Sequence, residues 1–80
     1  METFTLTSTT FVEPDGEANV GLRPSSPLIS DYIATYKTFP DEVTAIAETP
    51  SFIVEMTPIL FSQFQDMENV PQSIRDQFIL

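Results

Sequence analysis

Residues 50–64, PSFIVEMTPILFSQF, hold the densest apolar stretch of an 80-residue chain and place two prolines, Pro50 and Pro58, within it. A proline inside a helix removes one hydrogen bond and costs about 3 kcal/mol. Inside a central strand it removes a ladder donor. Three backbones satisfy that restriction. Pro50 and Pro58 can each open a short helix, with Thr49 and Thr57 as caps. One helix can run through and kink at Pro58. A strand over SFIVEM is the third, because Phe, Ile and Val also suit a pleated surface. The apolar phase is coherent across the proline: Ile53, Met56, Leu60, Phe64 and Met67 recur at spacings of three and four. Phe52, Val54, Ile59 and Phe61 lie off that stripe. A helix apolar nearly all round must be covered on several sides. Either this segment is the central core helix, or a partner covers one side of it.

Length and composition narrow the alternatives. Eighty residues make one small domain, and such a chain buries only a little over half of its unfolded surface. Small domains often add disulfides, metals or partner subunits. Cysteine and histidine are both absent, which closes the disulfide route and leaves only carboxylates for a metal. Twelve acids against three bases, Arg23, Lys37 and Arg75, give a net charge of −9. That charge repels nucleic acid and anionic membrane and complements a basic protein surface. The apolar content exceeds that of a disordered acidic tail. No signal-peptide pattern opens the chain, and no apolar run reaches the ~20 residues of a membrane span. The expected location is cytoplasmic.

Along the chain, Phe4 and Leu6 alternate with threonines at period two. Phe11 falls on the other face, which suggests a bulge. EPDGEA at 13–18 is a strong turn signal, and Val20 and Leu22 offer a second strand. Residues 3–23 therefore read as a β-hairpin, with residues 26–80 as the helical part. Ser26 and Pro27 open a predicted helix carrying Leu28, Ile29, Tyr32, Ile33 and Tyr36 on one stripe. Thr38 and Asp41 resemble a capping box for a second helix, whose Val43, Ile46 and Ala47 would face inward. Pro71 starts a further helix with Val70, Ile74 and Phe78 at intervals of four. The predicted fold is α+β, a hairpin followed by three or four short Pro-initiated helices. A helical bundle with an extended N-terminal arm is the alternative.

The same residue inventory limits chemistry. Histidine and cysteine, the commonest acid-base residue and the best thiol nucleophile, are missing. Gly16 and Gly21 are the only glycines, too few for a phosphate loop. The adjacent acids Asp41 and Glu42, and the pair Asp66 and Glu68, lack the i, i+3 or i, i+4 spacing that stacks carboxylates on a helix. EPDGE offers three carboxylates without the ligand spacing of a calcium loop. The C-terminal FIL resembles a short tail that adds to a sheet edge, with burial of Phe78 by its own helix as the competing reading.

The expected function is a small, acidic, non-enzymatic protein that binds another protein: an accessory subunit, adaptor or inhibitor without cofactors. Tyr32, Tyr36, Phe39, Phe61, Ile79 and Leu80 are the candidate apolar anchors. Asp41, Glu42 and Glu48 are the candidate acidic rim that steers a basic partner. Self-association into a homo-oligomer is compatible with this reading. The alternative is an acidic decoy that occupies a nucleic-acid-binding site of another protein, which needs a stripe of acids on one face.

Overall fold

The computed structural model describes residues 1–80. Its elements are β1 (Glu2–Thr3), β2 (Leu6–Val12), β3 (Ala18–Pro24), β4 (Thr35–Phe39), α1 (Glu42–Gln65), α2 (Gln72–Arg75) and β5 (Phe78–Ile79). Strands β2, β3 and β4 form an antiparallel meander in that order, and β1 pairs with β5 in parallel. The class is α+β, with one long helix and one single-turn helix in place of three or four short ones.

The hairpin comes from local chemistry. Gly16 N–H donates to the Glu13 carbonyl at 3.0 Å, closing a turn with Pro14 and Asp15 at its centre. Proline presets the φ of the first central position. Gly16 then takes φ +94°, a conformation that costs glycine little, and Glu13 N–H meets the Glu17 carbonyl. This is the three-residue loop that joins twisted strands well. The register runs unbroken from Leu6 opposite Pro24 to Val12 opposite Ala18. No bulge accommodates Phe11. It points to the sheet face that no helix covers.

Residues 26–36 do not form the predicted helix. Ser26 Oγ accepts from Leu28 N–H at 3.4 Å, but only isolated turn bonds follow, Ile29 N–H to Ser26 O and Tyr32 N–H to Ile29 O. Ile29 and Ile33 are buried from this loop. Beyond them, Thr35–Phe39 alternates rather than spirals. Phe39 faces α1 while Tyr36 and Thr38 face away, and the segment completes its hydrogen bonds on β3. Threonine and aromatic residues suit that pleated surface, and the neighbouring strand overrides the helical spacing of Tyr32 and Tyr36.

The two helices expected around Asp41 and Pro50 are one. Helix α1 runs 24 residues through Pro50 and Pro58. Asp41 is itself the N-cap, its carboxylate accepting from Thr44 N–H at 2.7 Å, whereas Thr38 belongs to β4. Both prolines are exposed. The carbonyls they leave without a helical donor belong to Ile46 and Val54, two outward-facing residues within reach of water. The threonine before each proline bonds back one turn, Thr49 to Ala45 O and Thr57 to Ile53 O, each at 2.6 Å.

The core lies between α1 and the sheet. Ala18, Val20 and Leu22 of β3 face it with Phe39, Ala45, Phe52, Leu60 and Phe64. Phe64 stacks on Phe4 at 5.9 Å between centroids and meets Phe78 edge-on at 5.7 Å, while Phe61 meets Phe4 at 5.3 Å. Val70 and Phe78 are buried as their spacing suggests. The helix at Pro71 lasts one turn, however, and Phe78 reaches the core from β5. The FIL ending thus adds to the chain's own β1: Glu2 N–H donates to Gln77 O and Phe4 N–H to Ile79 O. Arg75 fastens this segment to the end of α1. Its Nη1 donates to Gln65 O at 3.0 Å, and Gln65 Nε2 donates back to Arg75 O. A cation at a helix C-terminus also suits the macrodipole.

Candidate functional site

Helix α1 is apolar on two sides, and the sheet covers only one. The covered face carries Ala45, Phe52, Leu60 and Phe64, with Ile53, Met56 and Phe61 half-buried beside them. Turned away from it stand Val43 at 78 % exposure and Val54 at 74 %, with Ile46, 62 % exposed, at the border between the two sides. Ala47, Pro50 and Pro58 are exposed among them. At 100° per residue, positions 43, 46, 47, 50, 54 and 58 form one ridge about 22 Å long. Val43, Ile46 and Ala47 were expected inward. Instead Ala45 is the residue of that turn that meets the core.

An acidic strip flanks the ridge. Asp41, Glu48 and Glu55 follow one another at intervals of seven, which places them on one side of the helix about 10 Å apart. The Asp41 carboxyl is held below its ordinary range by the hydrogen bonds it receives from Thr44. Glu48 and Glu55 border a groove of about 200 Å3 with Lys37, Phe39, Ser51 and Phe52. The Lys37 ammonium lies 5.2 Å from the Phe39 ring centroid and 6.0 Å from that of Phe52, distances suited to cation–π attraction.

The uncovered sheet face is a second surface. Thr7, Thr9, Phe11, Asn19, Gly21, Arg23 and Tyr36 line a depression of about 460 Å3 on it. Phe11 and Tyr36 stand 61 % and 74 % exposed on the two edge strands, with side-chain-free Gly21 between them. Asn19 of β3 ties β4 to the start of the hairpin turn. Thr38 donates to its Oδ1 at 2.5 Å and its Nδ2 donates to Glu13 at 2.8 Å.

The residues singled out from sequence are dispersed by this fold. Phe39 is a core residue, 3 % exposed, with almost no surface to offer a partner. Tyr32 and Phe61 pack half-buried against the core. Tyr36 is open, but on the sheet and not on a helix. Ile79 and Leu80 are exposed beside β1. Glu42 is exposed in the first turn of α1, and Asp41 and Glu48 share the acidic strip. Sequence reasoning missed Val43, Ile46 and Val54 as surface. The signal was a second apolar stripe through Val43, Pro50 and Val54, beside the one carrying Ile53, Leu60 and Phe64 and meeting it at Ile46.

No group of three or more acidic side chains is arranged to hold a metal ion, and no helix is long and apolar enough to cross a membrane. No protein-family model, curated protein or solved structure matches this chain.

Proposed function

We propose that this chain is a small, acidic, non-enzymatic protein that binds another protein through the outward face of α1. The partner surface is an apolar groove bordered by basic side chains. One observation carries the reading: a single helix bears apolar side chains on two faces, and its own domain buries only one. Val43, Ile46, Pro50 and Val54 supply apolar area that association would remove from water. The strip of Asp41, Glu48 and Glu55 supplies charge complementarity along one side, which acts mainly on association rate and specificity. The role is that of an accessory subunit, adaptor or inhibitor.

The test is co-purification from the native lysate with wild type, Ile46→Asp and Val54→Asp, each checked for folding by circular dichroism. Both positions are exposed, so their thermal transitions are expected within a few degrees of wild type. A stoichiometric partner retained by wild type in high salt and lost by both variants supports the proposal. A partner retained equally by all three overturns it. Reversal of Glu48 and Glu55 to Lys is expected to slow association and leave most of the dissociation rate unchanged.

A further inference from the structure

The free edge of β2 carries an inference independent of α1. In an antiparallel pair, directly opposed residues alternate between those that exchange hydrogen bonds and those whose polar groups point away. Ser25 N–H bonds Thr5 O and Glu13 N–H bonds Glu17 O at the two ends of the hairpin. With the observed register, the odd residues of β2 face β3 and the even residues Leu6, Ser8, Thr10 and Val12 turn their N–H and C=O groups outward. Strand order places β2 at the sheet edge. The chain covers the neighbouring stretch itself, since β5 takes the N–H groups of Glu2 and Phe4. From Leu6 to Val12 nothing does.

This edge lacks the usual protections. Residues 3–12 contain no charge and no proline, and no bulge interrupts the register. Natural edge strands are commonly blunted by such features. Helix α1 packs against β2 from one side, yet every β2 residue after Leu6 is exposed on whichever face it points to. The other edge, β4, is shorter and carries Lys37.

We propose that a second copy of this chain pairs with this edge, β2 against β2, antiparallel about a two-fold axis through Thr9. The outward groups fix that register. Leu6 meets the partner's Val12 and Ser8 the partner's Thr10 as hydrogen-bonded pairs, while Thr9 faces the partner's Thr9 in a close, non-hydrogen-bonded pair. Phe11 lies opposite the partner's Thr7, an aromatic–β-branched pair of the kind that stabilises sheets. The product is a six-stranded sheet with both α1 helices on one face, a closed isologous dimer. The charge distribution is compatible with the same contact, because the paired stretch carries no charge in a chain of net charge −9 and Glu13 does not oppose the partner's Glu13. A β2-to-β4 contact would be head-to-tail and would propagate.

The test uses the full chain in sedimentation-velocity experiments across concentration and salt. Wild type is expected to shift from monomer to dimer as concentration rises, and further as salt screens the mutual repulsion. Thr10→Pro removes an outward N–H and no bond to β3, and Thr10→Lys charges the edge; both are expected to fold and remain monomeric. Because the chain has no cysteine, Thr9→Cys is expected to cross-link on oxidation, whereas Thr7→Cys, opposite Phe11, is expected not to. A wild type that stays monomeric up to millimolar concentration overturns the proposal. So does a dimer that survives both Thr10 variants, or cross-linking of Thr7→Cys as readily as Thr9→Cys. A dimer lost in Val54→Asp but kept in Thr10→Pro would assign self-association to α1 instead.

Discussion

Asp41 and Glu17 are both exposed carboxylates, and the fold moves their proton affinities in opposite directions. Asp41 accepts hydrogen bonds from Thr44, which lower its pKa from the ordinary 3.8. A lowered folded-state pKa contributes stability that is present above the unfolded value and lost as pH falls through the folded one. Asp41→Ala is therefore expected to melt lower than wild type at neutral pH, and the gap is expected to close below about pH 4. Glu17 is raised from its ordinary 4.5, first by a side-chain hydrogen bond with Asp15 and then by repulsion from the same carboxylate. Its ionised form is disfavoured in the fold, so Glu17→Gln is expected to melt higher at neutral pH. That advantage is expected to vanish as pH falls through the raised pKa toward 4.5. Thermal melts of the two variants from pH 7 to pH 3 check both signs. Phe64 belongs to a different environment: fully buried, in contact with Phe4 and Phe78. Phe64→Ala is expected to cost about 3–5 kcal/mol in denaturant unfolding, a large share of the stability of a domain this size.

Helix α1 joins the two parts of the sequence that read most differently. The stripe through Ile53, Leu60 and Phe64 was legible because hydrophobic spacing reports a helical face directly. The fate of Pro50 and Pro58 was not. Whether a proline breaks a helix depends on whether packing on either side holds the backbone in phase, and here Phe52 on one side and Leu60 and Phe64 on the other anchor it to one sheet. Pro58→Ala restores a donor to the Val54 carbonyl and is expected to raise unfolding free energy by about 1–3 kcal/mol, measured by chemical denaturation. Strand β4 shows the converse. Tyr32 and Tyr36 have helical spacing, yet β3 offers a ladder that the local sequence cannot foresee. The hairpin succeeded for the opposite reason: Pro14, Asp15 and Gly16 determine their own turn.

Across the whole chain, a net charge of −9 acts against compactness and against association of copies. Added monovalent salt is expected to raise the melting temperature of the monomer and to promote the β2-paired dimer, readable by calorimetry and sedimentation on one sample series. The chain is elongated, with extents of 43 × 20 × 18 Å, and its layers are two: one helix on one three-stranded sheet. Such an arrangement leaves the outer helix face, the outer sheet face and the edges of β2 and β4 without cover. The candidate site follows from that economy of layers.

What could be read from residues alone was whatever acts over a few neighbours or over composition. The turn at 13–17, the apolar phase of 53–64 and the absence of cysteine and histidine all belong there, whereas the capping box read at Thr38 and Asp41 gave way to Asp41 alone as the cap. What the tertiary structure decided was which apolar surface is inside. Val43 and Val54 are as hydrophobic as residues of the core, and hydropathy cannot tell the two faces of α1 apart. Only the position of the three-stranded sheet, assembled from a hairpin and a strand beyond a long loop, selects Ala45, Phe52 and Leu60 for burial and leaves the ridge exposed. Burial is a relation between distant segments, and in so thin a fold there is not enough chain to satisfy both sides of its own central helix.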